Sequence, residues 1–323
     1  MPHKKWIPGF MLIILILSAH AQQNSSPYAS AKPVTKPELF APGIISQGDH
    51  ESHPAFSPDG SELYFLKNMP DFSFWTIVVS SYKNAKWSEP EVAPFSGQYS
   101  DADPFITPDG KRLYFISNRP LKNEKKEDLD IWYVDRTANG WNEPQNPGAP
   151  INSEGQEWYP TLASDGTIYF GSDRKGGLGQ TDIYRCKFKD GKYEAAENLG
   201  EAINSKHNEF EPWISPDQKF MFVMAGRPEG KGAFDLYLSY NKDGTWTSLE
   251  NLGPEINSPT YEFSPKISPD GKYFFFTSSK GFTESSFPKR LNYSELSQKL
   301  RGPQNGLGDI YYADLSTLRL QHH

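Results

Sequence analysis

The chain has 323 residues, 33 of them basic and 40 acidic, for a net charge of −7 at pH 7. That balance excludes partners held through phosphate contacts, so no nucleic acid is expected, and it disfavours anionic membrane surfaces. The single cysteine, Cys186, excludes an intrachain disulfide and a cysteine-built metal cluster. Stability must then come from a packed core, for which 17 Tyr, 21 Phe and 8 Trp supply the volume.

The first 21 residues read as a secretory signal peptide. Lys4 and Lys5 form the charged end, Phe10 to Leu17 the apolar run, and Ala19-His20-Ala21 a small-x-small cleavage site. The run is too short for a stable membrane anchor, and no cysteine follows the site to carry a lipid. A periplasmic or secreted protein, cleaved near Ala21 and without a membrane span, is expected. Residues 22–36 are polar and contain proline, and read as a flexible leader.

From residue 37 to 314 the chain is built on a repeat. Five copies of one segment read HPAFSPDGSELYFL (53–66), DPFITPDGKRLYFI (103–116), YPTLASDGTIYFG (159–171), EPWISPDQKFMFVM (211–224) and SPKISPDGKYFFFT (264–277). Their turn aspartates Asp59, Asp109, Asp165, Asp217 and Asp270 lie 50, 56, 52 and 53 residues apart. A repeat of about that length made of short strands indicates a propeller or an array. Each copy predicts an inner strand, a Pro-Asp-Gly turn and a second strand. A third strand opens at Asp130-Ile131-Trp132, Asp182-Ile183-Tyr184, Asp235-Leu236-Tyr237 or Asp309-Ile310-Tyr311. A fourth is expected at Trp87, Trp141, Tyr193 or Trp246. An Ile-Asn-Ser motif follows in three copies (151–153, 203–205, 256–258).

These four-stranded antiparallel units predict an all-β, five-bladed β-propeller. The last copy ends near Asp314 without a fourth strand, whereas residues 37–46 resemble one and precede the first copy. That N-terminal segment is expected to complete the last blade and close the ring, which removes an exposed edge. A sixth blade would need about 50 more residues. Residues 315–323 are left as a tail.

The combination Ser-Pro-Asp-Gly-x-x-Leu-Tyr-Phe, Ser-x-Arg, Asp-Ile-Tyr, Trp-x-x-Pro and Leu-Gly-x-x-Ile-Asn-Ser resembles the WD40-like Pro-Asp propeller repeat of TolB-like exported bacterial proteins. The resemblance covers residues 37–314. It implies the fold. Such repeats occur in periplasmic partner-binding proteins, beside cell-wall-binding domains and in peptidase propellers, and a second domain of the kind found there is not expected from residues 37–314.

Every copy carries a carboxylate three residues before the inner-strand proline: Glu51, Asp101, Glu157, Glu209 and Glu262. Four copies carry a base at the end of the second strand: Arg119, Arg174, Arg227 and Lys280. Copy 1 has Met69 there, which leaves Glu51 without a base, beside His50 and His53. Strand direction places both sets on one face, around a mouth of the central channel, with Asp103 and Glu211 as extra acids. Two readings are open. The rings staple the blades, which fivefold repetition favours, or they form a polar funnel for a ligand. A hard cation such as calcium would suit clustered carboxylates, but no contiguous calcium loop is present, so no cofactor is expected. The longest connection, 281–308, holds Phe282, Phe287, Tyr293 and a helix-like stretch at 294–301, and is expected to act over the mouth. Cys186 falls in a third strand and reads as a buried, inert thiol.

No Gly-x-Ser-x-Gly elbow, His-Glu-x-x-His or phosphate loop is present. The expected function is therefore a monomeric, non-catalytic module that binds a protein or a cell-envelope polysaccharide at the channel mouth. The alternative is a glycoside hydrolase-like enzyme using two carboxylates in the funnel, with Trp158 and Tyr159 near the sugar.

Overall fold

The structure is a computed structural model that describes residues 27–28, 30, 32–121, 128–282 and 286–320. The signal peptide expected at 1–21 lies outside the described residues. The fold is an all-β propeller of five antiparallel blades, with a single α-helix among the described residues.

The inner strands are His50–Phe56, Asp101–Ile106, Glu157–Leu162, Glu209–Ile214 and Glu262–Ile267. Each contacts the inner strand of the next blade, and the fifth contacts the first, so the ring is closed. Second strands (Glu62–Asn68, Arg112–Ser117, Ile168–Ser172, Phe220–Ala225, Tyr273–Ser278) and third strands (Trp75–Lys83, Asp130–Thr137, Asp182–Cys186, Asp235–Lys242, Asp309–Asp314) follow outward. The outer edge is formed by short pieces such as Lys86–Trp87 with Glu91–Val92, or Thr245–Trp246 with Glu250–Asn251.

Blade 5 takes its outer strand from the other end of the chain. Glu38–Leu39 runs antiparallel to Asp309–Asp314, with Glu38 opposite Tyr312 and Leu39 opposite Tyr311. The next residue, Phe40, donates its N–H to the Ile310 carbonyl at 2.8 Å. Its ring is buried against Phe275, Tyr312 and Phe56 at centroid distances of 5.1, 5.5 and 5.9 Å. Burying such a side chain contributes roughly 1.5–3 kcal/mol, so the closure is a packed seam as well as a hydrogen-bonded one. Part of the segment expected as a flexible leader is also docked there. Val34 is buried, donates its N–H to the Asp314 carboxylate at 3.0 Å and accepts the Asp314 N–H at 2.9 Å, and the Tyr28 ring packs on Phe56 at 5.1 Å.

One irregularity recurs in every inner strand. The pairing with the second strand slips between Ser52 and Ala55, Ala102 and Phe105, Trp158 and Thr161, Phe210 and Trp213, and Phe263 and Lys266. At each slip a non-glycine residue has left-handed backbone: His53, Asp103, Tyr159, Glu211 and Ser264, with φ between 49° and 56°. Each is followed by proline (54, 104, 160, 212, 265). Proline has no N–H to give to the ladder, so a bulge is where an inner strand tolerates it. Five such residues around one axis represent backbone strain of order 1 kcal/mol or more each, held in place by the surrounding packing.

The connection at 281–308 contains the helix Tyr293–Arg301. Its start is fixed by a capping box in which Asn292 accepts from the Glu295 N–H and the Glu295 carboxylate accepts from the Asn292 N–H. Among the described residues no helix is long and apolar enough to cross a membrane.

Candidate functional site

The five repeated carboxylates are fully buried. Glu157 accepts from Ser153 Oγ at 2.6 Å, Ser172 Oγ at 3.1 Å and Arg174 Nη2 at 3.0 Å. Glu209 accepts from Ser205 Oγ at 2.7 Å and Arg227 Nη2 at 3.2 Å. Asp101 accepts from Ser96 Oγ at 2.8 Å and Arg119 Nη2 at 2.6 Å. The serines of the Ile-Asn-Ser motif thus serve the acid of the following blade. The asparagines of that motif pair with both backbone groups of Ile131, Ile183 and Leu236 at 2.7–2.9 Å, extending the third strand's ladder. Burial raises the carboxyl pKa of Glu51, Asp101 and Glu157 above the ordinary value, and the neighbouring cations and hydroxyls oppose that rise. The recurring acids, and the serines and asparagines of the motif, are consumed in fastening each blade to the loop that enters or leaves it.

Two of the bases differ from expectation. Glu51 is paired, with Lys67 Nζ at 2.7 Å. Lys67 is the cross-strand partner of Glu51, at the position that holds Ser117, Ser172 and Ser278 in other blades. From directly opposite, a lysine reaches the acid without the two-residue offset an arginine uses. Lys280 is exposed and forms no ion pair among the described residues. Glu262 is held instead by Ser258 and Ser278 hydroxyls at 2.7 and 2.6 Å.

Above this layer, on the face where second strands end, the mouth of the channel forms a cavity of about 740 Å³. Of the eleven residues named from the sequence (Glu51, Asp101, Asp103, Glu157, Glu209, Glu211, Glu262, Arg119, Arg174, Arg227, Lys280), Asp103 and Glu211 line it. They occupy bulge positions of blades 2 and 4, and His53 of blade 1 sits between them. His53 Nε2 is 3.0 Å from Asp103 Oδ1 and 3.1 Å from Glu211 Oε1, and Nδ1 is 2.8 Å from Ser52 Oγ. Asp103 also accepts the Tyr159 N–H at 2.9 Å, and Glu211 accepts the Ser264 N–H. Tyr159 spans the axis to donate its hydroxyl to the Pro265 carbonyl at 2.9 Å. Below this floor Lys266 is buried, with Nζ 4.3 Å from the Tyr159 ring centroid and 5.3 Å from that of Phe105.

The floor is tuned by burial and mutual charge. Burial works against the His53 imidazolium, but Asp103 and Glu211 outweigh it and raise its pKa. Burial pushes Asp103 up to about 6, against the pull of His53. Lys266 is lowered to about 7 by burial, against the attraction of the two carboxylates. His50, at the cavity edge, falls to about 4 through burial and the proximity of His53. Among the described residues no group of three or more His, Cys, Asp or Glu has the arrangement to hold a metal ion.

Sequence reasoning named His53 only as a neighbour of Glu51 and Trp158 only in the enzyme alternative, and it missed Lys266 and the rest of the cavity wall. Two signals were present. The residue before the inner-strand proline changes chemical class from copy to copy, and Lys266 stands where other copies carry Ala55, Phe105, Thr161 and Trp213.

No protein-family model matches this chain, and no curated protein matches it significantly in sequence. Solved structures do. The catalytic domain of a GH62 α-L-arabinofuranosidase from Coprinopsis cinerea is similar over 88% of this chain and 99% of its own, at 11% identity and a TM-score of 0.50. A protein described as TolB from Agrobacterium tumefaciens is similar over 83% of this chain and 91% of its own, at 16% identity and a TM-score of 0.48. An α-L-arabinofuranosidase from Lactobacillus brevis is similar over 74% and 85%, at 13% identity and a TM-score of 0.47. At such identities the likeness is one of fold. Propellers of the TolB-like and glycosidase kinds are both among the neighbours.

Proposed function

We propose that this protein is an exported, non-catalytic β-propeller of the WD40-like Pro-Asp, TolB-like type, which binds a protein or cell-envelope glycan partner at the mouth of its channel. The observation that carries this reading is the pairing of a large, mostly apolar cavity with a floor whose acids are engaged. Asp103 and Glu211 each hold His53 and a backbone N–H of the neighbouring blade. A general acid or base must be free to exchange a proton with substrate, whereas a binding surface needs shape and wall chemistry. The test is capture of partners from the envelope of the producing cell with wild-type and Trp158→Ala baits. Trp158 lines the cavity wall, so its loss should abolish a specific capture that the wild type shows. Equal capture by both baits would contradict the mouth as the binding site.

A glycoside hydrolase-like reading is favoured by one observation. Asp103 and Glu211 flank a single imidazole at the cavity floor, and Asp103 titrates near 6, a value compatible with an acid catalyst. Turnover of a polysaccharide panel that Asp103→Asn and Glu211→Gln both abolish, with unchanged melting temperature, would establish it in place of the binding module.

A further inference from the structure

The cavity wall is uniform in one respect. Rings of Trp75, Trp158, Phe210, Phe234 and Tyr261 follow one another around it, with successive centroids 6.3, 6.1, 5.8 and 5.9 Å apart. Among the described residues no lysine or arginine side chain lines it, and the charged residues that do are Asp103, Glu211 and His53. With His53 protonated between two carboxylates, these three lining side chains formally retain one negative charge, which Lys266 beneath them offsets in part when it is protonated. At the edge, His50 is 4% exposed, and its Nδ1 has no hydrogen-bond partner.

This combination selects among ligand classes. An anion would meet two carboxylates that already hold the one lining counter-charge among the described residues, His53. A sugar ring needs hydrogen bonds for several hydroxyls, and among the described residues the hydroxyl and amide side chains of the wall are Ser52, Asn68, Thr260, Ser279 and the phenol of Tyr261. A neutral hydrocarbon would cover the floor charges without compensating them. A cation on an apolar stem satisfies both parts: ring faces attract positive charge, the stem packs along the belt, and the head reaches the carboxylates.

We infer that the cavity is a receptor for a basic peptide segment of a protein partner, with an arginine or lysine side chain inserted along the aromatic belt toward Asp103 and Glu211. The inference rests on the mouth being the binding site, and it chooses protein over glycan as the partner. The volume of about 740 Å³ exceeds what one side chain needs and lies within the usual range of ligand sites, so residues flanking the basic one would also be covered.

The experiment is calorimetric titration of the intact protein with the blocked peptide acetyl-Leu-Arg-Leu-amide. Its citrulline analogue, its glutamate analogue and a neutral oligosaccharide are the comparators. Citrulline keeps the shape of arginine and removes the charge. Saturable binding of the arginine peptide is expected, at least about fivefold weaker for citrulline and undetectable for glutamate. Glu211→Gln should weaken the arginine peptide by a similar factor, and Trp158→Ala should weaken both the arginine and citrulline peptides. Equal affinity for arginine and citrulline peptides would overturn the inference without needing any variant. Oligosaccharide binding that Trp158→Ala abolishes, with none of the arginine peptide, would also overturn it while leaving the mouth as the site. Arginine-peptide binding insensitive to both Glu211→Gln and Trp158→Ala would overturn the inference and remove support for the mouth itself.

Discussion

Two sets of residues only two positions apart in the inner strands behave in opposite ways. Glu51, Asp101, Glu157, Glu209 and Glu262 are chemically alike, fully buried and bonded mainly within their own blade and its incoming loop. His53, Asp103, Tyr159, Glu211 and Ser264 are chemically unlike, share one strained backbone conformation and meet partners across the axis. The same bulge serves every blade, so geometry is common to both sets. What differs is whether the side chain answers to its blade or to the channel. In a repeat protein, sameness marks the fastening and divergence marks the place where five blades build one asymmetric site.

The comparison can be broken most forcefully at the fastening. Glu209→Ala leaves the Arg227 guanidinium, 14% exposed, without its carboxylate. A loss of about 3 kcal/mol in denaturant unfolding is expected, with peptide affinity unchanged in the protein that remains folded. Lys67→Met should cost about 2 kcal/mol, because Lys67 carries the pair with buried Glu51 and is itself only partly buried. The equivalent change at the exposed Lys280 should stay within about 0.5 kcal/mol. That contrast separates the pairing observed in blade 1 from the one the sequence offset indicated.

The channel set predicts a pH dependence. Lys266 titrates near 7 in the folded protein, below its ordinary 10.5. Between these values the unfolded chain holds the extra proton, so this group makes stability rise with pH across the window, and the penalty for burying its charge is complete below pH 7. Lys266→Met should therefore melt higher than wild type at pH 6, and the advantage should shrink as pH rises from 7 toward 10. Melting curves at pH 6, 8 and 9.5 read this directly. An advantage that grows with pH would contradict the burial account of Lys266.

Much of the architecture was legible because it depends on local chemistry. Pro-Asp-Gly turns, alternating apolar strands and the unpaired end of the last copy were enough for five blades and for closure by the segment 37–46, of which Glu38–Leu39 makes the pairing. The identity of the ring acids was also visible, since all five copies repeat them. Their depth was not. Whether a side chain at the start of an inner strand faces the mouth or turns inward depends on the bulge two residues later, and a positive φ at His53 or Tyr159 leaves no composition signal beyond the following proline. The base of blade 1 was missed because counting from the turn finds Met69, whereas cross-strand register finds Lys67. The aromatic belt joins Trp75, Trp158 and Phe234 from three different blades, a proximity that only ring closure creates.

The most direct measurement pairs Glu209→Gln with Glu211→Gln, and for each records the melting temperature and the affinity for the arginine peptide. The account predicts that Glu209→Gln lowers the melting temperature and spares affinity, while Glu211→Gln weakens affinity at least about fivefold with the smaller thermal effect. If Glu209→Gln instead removes binding at unchanged stability, or the two variants behave alike, the division between fastening ring and binding floor is wrong.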